Sequence, residues 1–247
     1  MSKRPIKPIT PLVDESRKAE QAFTGSDIDE EDCLQLNDEK YRMVATRLRE
    51  LKPSRVLDIG VWTGVFYEKH VPELIGNVYG IEIQEKFLDR AIKRGIQATR
   101  VNIESEPLPY TDNHFDVVVC DSLLEHTLNP KHLMTEIQRV LCPGGTLILA
   151  VPNANSARRQ WGMLRGRNPF HPLVVNLYNF EYMVKCAVFY APEELHMIMD
   201  NAFKIETMTY LDETHHDVPS HANTFCRLWS RFVPRTRDQI LLTASKL

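Results

Sequence analysis

Residues 56–66 read VLDIGVWTGVF, an apolar run that carries one acidic residue and then breaks into a turn punctuated by glycine. Gly60 and Gly64 have no Cβ, so the backbone can bend sharply there and come close to a ligand. A second apolar run, NVYGIEI at residues 77–83, brings Glu82 to a strand end eighteen positions after Gly64. A carboxylate in that position can accept the hydrogen bonds of a ribose diol. The stretch therefore predicts a strand, a turn, a helix and a strand that together hold a nucleoside-bearing cofactor.

The bulk composition is that of an ordinary globular chain. Its 247 residues are 43% apolar and 26% charged, which suits one α/β domain with an arm and an insertion. The net charge of −3 gives no overall attraction to nucleic acid or to an anionic membrane, although it allows a local basic patch. The five cysteines are scattered without a C-x-x-C pair, which is typical of a reducing compartment. We expect a cytoplasmic protein.

The start of the chain carries no signal for export. Residues 1–15, MSKRPIKPITPLVDE, are partly basic but lack a continuous apolar region and a small-residue cleavage site. No apolar run in the sequence approaches the length that spans a bilayer. We interpret residues 1–35 as a flexible arm.

Strands and helices alternate along most of the remaining chain. Apolar runs predict strands at residues 55–59, 78–83, 96–101, 115–120 and 146–151. Periodicity and caps predict helices at residues 38–51 and 85–94, a short one before Pro72, and others from Pro130 and from Pro192. Because each parallel crossover needs a helix on one face, this alternation predicts a doubly wound, mostly parallel α/β sheet.

The alternation fails between residues 153 and 190. That stretch is rich in Arg, Asn, Pro and aromatic residues and is too long for an ordinary connection. It predicts a cap inserted over the carboxyl ends of the strands, where open α/β sheets bind ligands. Residues 204–211 and about 224–229 are the expected last two strands. The main domain would then cover residues 36–230, with a tail at 231–247.

The glycine turn resembles that of the class I S-adenosylmethionine-dependent methyltransferases. The usual motif of that family is D-x-G-x-G-x-G. Asp58, Gly60 and Gly64 match it, while Trp62 stands at the middle glycine. The indole could crowd the methionine end of the cofactor or point away from it.

Two later segments extend the resemblance, which covers about residues 40–210. Residues 102–126, NIESEPLPYTDNHFDVVVCDSLLEH, resemble the stretch in which such enzymes bind adenine and then enter the fourth strand. Residues 142–153, CPGGTLILAVPN, resemble the turn and fifth strand that follow. The chain is identified as similar to the type 11, or UbiE/UbiG-like, group. This implies a seven-stranded Rossmann-like sheet with its last two strands antiparallel at one edge.

The resemblance also implies S-adenosyl-L-methionine as the cofactor and assigns residues to it. Asp58 would reach the methionine amino group, directly or through water, or else cap the turn amides. Glu82 would hold the ribose, with Ile83 on the adenine face. Asn102 stands where the family has Asp, and it could contact adenine or merely form a turn. The implied cofactor-binding residues are Asp58, Gly60, Gly64, Glu82, Ile83, Asn102, Ile103 and Asp121, with Ser122 as an alternative to Asp121.

Methyl transfer from a sulfonium depends mainly on alignment and on exclusion of water, so a weak catalytic motif is expected. His126 is the candidate general base, and packing within a helix is the alternative. Some quinone-pathway methyltransferases carry E-x-x-E-H at this place and use it for a metal. Here Ser122 replaces the first Glu and leaves only Glu125 and His126, so no metal is expected.

A group of arginines marks the predicted cap and is the expected acceptor side. Its members, within ten positions, are Arg158, Arg159, Arg165 and Arg167. Guanidinium groups suit phosphate or carboxylate recognition, which indicates an anionic acceptor. Because Trp161, Met163 and Leu164 alternate with them, a membrane-surface segment is a second interpretation, and a solvated loop is a third.

The resulting functional prediction is a transferase that moves methyl from S-adenosylmethionine to oxygen, and in second place to nitrogen, of a small-molecule or glycan-type acceptor. The alternatives are an RNA or protein methyltransferase and a binding module without turnover, for which Trp62 is the hint. A nicotinamide-dependent reductase should show G-x-G-x-x-G, whereas this chain has G-x-x-x-G. A nucleic-acid partner is not expected, and the oligomeric state stays open.

Overall fold

The structure, a computed structural model, describes residues 30–164, 189–199, 201–212 and 220–247. Its centre is one sheet of seven strands: β1 (Val56–Ile59), β2 (Val78–Ile81), β3 (Gln97–Thr99), β4 (Phe115–Asp121), β5 (Leu141–Pro152), β6 (Phe203–Leu211) and β7 (Gln239–Lys246). Their order across the sheet is β3-β2-β1-β4-β5-β7-β6. The expected doubly wound, Rossmann-like α/β architecture is confirmed.

Eight α-helices lie within the described residues: α1 (Glu30–Leu36), α2 (Asp38–Leu51), α3 (Val65–His70), α4 (Glu85–Lys93), α5 (Pro130–Val140), α6 (Ala157–Leu164), α7 (Pro192–Met199) and α8 (Ser220–Phe232). Short 3-10 segments occur at Pro72–Asn77, Leu124–His126 and Pro234–Thr236. Among these elements no helix has both the length and the apolar composition needed to cross a bilayer.

The helices cover both faces of the sheet. One buried cluster combines the sheet with apolar side chains of α5 and α7, including Ile137 and Leu195. The other combines the opposite face with α2, α3 and α4, including Leu48, Tyr67 and Ala91. Strands β1, β2 and β4 and the second half of β5 are buried because helices lie on both sides, which explains their nearly continuous apolar sequences. The edge strand β3 is largely exposed.

Strand direction departs from the expectation in one respect. β1 pairs in parallel with β2 and β4, and the parallel ladder continues to β3 and β5. β7 is antiparallel to both β5 and β6. β6 therefore runs in the same direction as the first five strands, and β7 alone is reversed.

The prediction of a strand at about residues 224–229 is wrong, because these residues belong to helix α8. Their apolar side chains recur at positions 225, 228, 229 and 232, which is helical spacing rather than strand alternation. The seventh strand lies instead at Gln239–Lys246, inside the predicted tail, and it is buried between two neighbours. The tail is thus part of the sheet.

Two other predicted segments, the arm and the cap, lie partly outside the described residues. Helix α1 begins at Glu30, within the predicted arm of residues 1–35, and the preceding 29 residues are not described. The predicted cap at 153–190 contains helix α6, while residues 165–188 lie outside the described part.

Packing against α4 and against Ile96, just before β3, is a structural reason for glycine at position 64. Its φ is +73°, and an added Cβ would lie 2.4 Å from Ile96 Cδ1 and 3.5 Å from the Ala91 Cα. We expect Gly64→Ala to lower the free energy of unfolding by about 1–3 kcal/mol, through overpacking and backbone strain. Urea denaturation measures this change.

Gly76→Ala is the matched control. Its added Cβ would meet nothing within 4 Å. We therefore expect its unfolding midpoint to stay close to that of the unchanged chain. Equal midpoints for the two variants would contradict the packing account of Gly64.

Candidate functional site

A cleft of about 380 Å³ opens at the carboxyl ends of the central strands. Its volume is in the range of small-molecule sites. Its walls come from α2, from the turn after β1, from the end of β4 and from the junction of β5 with β7. The lining side chains that matter below are Lys40, Tyr41, Asp58, Gly60, Trp62, Asp121, Ser122, Glu125, Pro152 and Gln239.

The turn after β1 is closed by backbone hydrogen bonds. The amides of Gly60 and Val61 donate to the carbonyl oxygen of Ile81 at 2.8 and 3.0 Å, which ties the turn to β2. Gly60 has φ +85°, and an added Cβ would lie 3.2 Å from the Leu123 side chain. A side chain at position 60 would therefore be strained and would push against the wall of the cleft.

Trp62 also has a left-handed backbone, with φ +51°. This conformation is costly for a bulky residue, and the glycine of the family motif would adopt it freely. The indole packs edge-on against Phe87 of α4, with ring centroids 5.9 Å apart, and it also lines the cleft. Trp62 is thus built into the wall and leaves the cleft open.

Asp58 is a buried carboxylate at the end of β1. Its burial raises its pKa to about 7, the nearby Tyr67 hydroxyl opposes this, and the charges of Asp121 and Glu82 add to the rise. The protein alone therefore holds Asp58 partly protonated near neutral pH. A cation in the cleft would favour the ionised form.

Glu82 follows β2, the neighbour of β1, and is buried. Burial raises its pKa, while the backbone amides of Gln84, Ile83 and Trp62 lower it. The Gln84 amide donates to Glu82 Oε1 at 2.9 Å. These amides fix the carboxylate at the strand tip, where the sequence predicted a ribose acceptor.

Asp121 ends β4 and forms an ion pair that the sequence analysis missed. Lys40 Nζ lies 2.7 Å from Asp121 Oδ1 and 3.2 Å from Ser122 Oγ, and Lys40 is only 4% exposed. Ser122 Oγ donates to the same Asp121 oxygen at 2.9 Å. The cleft therefore contains a buried ammonium group as well as carboxylates.

The sequence feature that could have identified Lys40 as a site residue was its position in the helical pattern. Lys40, Val44 and Leu48 recur every four residues along α2, and all three are buried. A lysine on the core-facing stripe of an amphipathic helix needs a buried partner. Lys40 was not among the predicted site residues, and neither was its neighbour Tyr41, which also lines the cleft and whose pKa is raised by burial.

Five of the predicted cofactor residues do not line this cleft, among them Glu82, which follows the neighbouring strand β2. Asn102 is exposed, and its Oδ1 accepts from the Glu104 amide at 3.1 Å, which is the turn-forming alternative. Ile83 is largely exposed, Ile103 packs against the sheet core, and Gly64 packs against Ile96. Their contacts with a cofactor stay predictions.

The candidate base His126 lies in the 3-10 turn after β4 and is half-buried. Its neighbour Glu125 is 2% exposed and lines the cleft, whereas His126 is not among the lining residues. The geometry therefore brings Glu125, rather than His126, to the cavity surface.

The two described arginines of the predicted acceptor group have partners within the protein. Arg158 Nε lies 3.2 Å from Asp238 Oδ2, and both side chains are largely buried. The Arg159 guanidinium lies over the Phe189 ring at 3.5 Å, and its Nε donates to the Asn153 carbonyl. Arg165 and Arg167 lie outside the described residues.

Comparison with known proteins agrees with this geometry. Residues 57–149 match the family model described as a methyltransferase domain. Within it lie the glycine turn, Glu82 and Asp121. Over residues 57–149 the chain is therefore similar to methyltransferases, in agreement with the resemblance seen in the sequence.

Individual relatives extend the match beyond the domain. The ubiquinone biosynthesis O-methyltransferase of Dechloromonas aromatica is 33% identical over 113 residues, 42% of this chain and 47% of that one. The ubiquinone/menaquinone biosynthesis C-methyltransferase UbiE of Ectopseudomonas mendocina is 29% identical over 152 residues, 58% and 55% of the two chains. The chain thus spans about half the length of these curated relatives.

Solved structures support the fold alone. An S-adenosylmethionine-dependent methyltransferase from Mesorhizobium loti superposes with a TM-score of 0.53 at 18% identity, covering 81% of this chain and 96% of that one. The seven-stranded sheet therefore shares its overall fold with that solved structure.

The residues of the methyltransferase cleft fit the family cofactor, S-adenosylmethionine. That molecule carries a sulfonium, an ammonium, a carboxylate and a ribose diol. The cleft offers the buried carboxylate of Asp58, the partly buried carboxylate of Asp121 and the ammonium group of Lys40. The buried Glu82 lies after the neighbouring strand β2. Gly60 keeps the wall free of a side chain. The charged side chains of the site are therefore complementary to the charged groups of the ligand.

The raised pKa of Asp58 predicts a pH-dependent affinity. Between pH 5.5 and 7.0 the unliganded carboxyl goes from almost fully protonated to about half ionised, so binding of the cationic S-adenosylhomocysteine ammonium should strengthen about tenfold or more as pH rises. Calorimetric titration across this window measures it. The Asp58→Asn variant should bind S-adenosylhomocysteine more weakly at pH 7.0, and its affinity should not change with pH. If its affinity depends on pH as steeply as that of the unchanged chain, another group causes the pH dependence.

Proposed function

We propose that this protein transfers the methyl group of S-adenosylmethionine to an oxygen, and in second place to a nitrogen, of a small-molecule or glycan-type acceptor. One observation carries the proposal. Three neighbouring parallel strands end in buried or partly buried carboxylates, Asp58, Glu82 and Asp121, beside a glycine turn that closes on β2. Such an arrangement favours a cationic nucleoside ligand over a neutral or anionic one.

Each end of the ligand has a candidate partner in this proposal. Asp58 would hold the ammonium group, and Lys40, displaced from or shared with Asp121, would hold the carboxylate. Glu82 would accept from the ribose hydroxyls. The bound cofactor supplies an electrophilic methyl group on a sulfonium sulfur. Glu82 and Lys40 lie on different elements, so together they would fix the ligand along the length of the cleft.

The proton of an oxygen acceptor needs a base at the cleft surface. Glu125 meets the positional requirement because it lines the cavity and is buried, while His126 stands beside it in the wall. We therefore place Glu125 ahead of His126 as the group that takes this proton.

The acceptor is the least constrained part of the proposal. The two named relatives are an O-methyltransferase and a C-methyltransferase, so likeness to them leaves the acceptor atom open. Since Arg158 and Arg159 are engaged within the protein, support for an anionic acceptor rests on Arg165 and Arg167. Methyl transfer assayed against small molecules, glycans, RNA and protein separates the proposed enzyme from its alternatives.

Replacement of Glu82 tests cofactor binding. Glu82→Gln keeps the size of the side chain but removes the charge and one acceptor oxygen, so we expect S-adenosylhomocysteine affinity to fall about tenfold or more. Calorimetry measures the dissociation constant, and circular dichroism checks the fold. Glu85→Gln, at an exposed site on α4, is the matched control and should bind normally. If both variants bind equally well, the ribose assignment fails.

Replacement of the cap arginines tests an anionic acceptor. If Arg165 and Arg167 bind an anionic group, Arg165→Ala with Arg167→Ala should raise the acceptor KM about tenfold and leave the cofactor KM unchanged. Arg42→Ala, an exposed arginine on α2, is the control. An unchanged acceptor KM would remove the anionic-acceptor proposal while leaving methyl transfer itself intact.

A further inference from the structure

Helix α8 turns its apolar face away from the protein. Phe225, Leu228, Trp229 and Phe232 recur at helical spacing and are 46% to 80% exposed. Cys226 and Ser230, on the opposite face, are the side chains that are buried. An amphipathic helix of a globular protein normally buries its apolar stripe, so this reversed orientation indicates a surface that something else covers.

Helix α6 extends this surface. The Trp161 ring lies 5.2 Å from that of Phe225, and α6 packs beside α8. Met163 and Leu164 follow on the same helix, and Leu164 is 82% exposed. We call the half-buried Trp161 together with the exposed apolar side chains of both helices the α6–α8 patch: Trp161, Met163, Leu164, Phe225, Leu228, Trp229 and Phe232.

Basic residues border the α6–α8 patch. Arg227, Arg231 and Arg235 are exposed, and none of them forms an ion pair with any residue that the structure describes. The sequence from 220 to 237 contains no Asp or Glu, and neither does that from 156 to 164. The patch is therefore locally cationic in a chain whose net charge is −3.

We propose that the α6–α8 patch binds the surface of an anionic lipid bilayer, with α8 lying in the plane of the interface. Exposed Trp, Phe and Leu beside arginines are the composition of helices that lie at this boundary. The arginines would face lipid phosphates while the apolar stripe enters the acyl region. A second copy of the chain is a less suitable partner for the patch, because the arginines of one copy would lie against those of the other.

The position of the patch relates it to the cleft. Asn153 Nδ2, just after β5, donates to the carbonyls of Arg235 and Arg237 at 2.9 and 2.7 Å, so the segment after α8 is fixed to the strand end. Pro152 and Gln239, adjacent to these bonds, line the cleft. Membrane binding would hold the cleft near the lipid headgroups. The proposal does not depend on methyl transfer.

Cosedimentation of the full chain with vesicles tests the proposal. We expect binding to vesicles of phosphatidylcholine with phosphatidylglycerol, weakening with salt, and little binding to phosphatidylcholine alone. Leu228→Ser with Phe232→Ser, and separately Arg227→Glu with Arg231→Glu, should each reduce the partition constant at least about tenfold. Both pairs are exposed, so their effect on folding should be small.

Matched controls lie elsewhere on the surface. Met197→Ser on α7 removes a side chain that is 78% exposed, and Lys204→Glu on β6 reverses one exposed charge. Both should bind anionic vesicles as the unchanged chain does. All variants should keep their affinity for S-adenosylhomocysteine, so that loss of lipid binding is separable from failure of the cofactor site.

Three results would overturn the proposal. The first is no sedimentation with anionic vesicles, which would leave the patch to a protein partner. The second is equal binding by the patch variants and the controls. The third is a dimer, detected by light scattering, that the patch substitutions abolish while they leave vesicle binding unchanged. The patch would then be the contact between two copies of the chain.

Discussion

The meeting of three carboxylates at one edge of the sheet is the constraint on which the site depends. β2, β1 and β4 are parallel neighbours, so Glu82, Asp58 and Asp121 reach the same edge. Burial and mutual repulsion raise the pKa of Asp58, so the unliganded cleft is electrostatically unfavourable. Lys40 and the amides around Glu82 offset part of this cost, and a cationic ligand would offset more.

Most of the fold was predictable because its signals are local. The glycine turn, the apolar strands and the helix-forming segments around them each require a particular backbone, and the parallel order follows from their alternation. Part of α8 was mistaken for a strand because the six residues 224–229 alone do not distinguish the period of a strand from that of a helix. When the pattern is followed to Phe232, its apolar residues show helical spacing. β7 was missed because a short apolar run near polar residues gives a weak signal until its neighbours in the sheet are known.

The candidate site was predictable only where a residue lies at, or directly after, the carboxyl end of a strand. Asp58, Glu82 and Asp121 meet this condition, and the strand order brings them together. Lys40 does not, because its partner is 81 positions away and only the packing of α2 brings the two together. Asn102 shows a different limit: its side-chain Oδ1 accepts a hydrogen bond within its own turn, and residue type alone does not separate that local bond from a contact with a ligand.

The origin of Lys40 has a consequence for protein engineering. The ammonium group comes from a helix that precedes the first strand, whereas the matched family region begins at residue 57. A chimaera grafted at that boundary would inherit the sheet, the glycine turn and all three acids, yet would lack their buried counter-ion. Such a hybrid should fold with an over-acidic cavity, so a transplantable unit has to include the helix upstream.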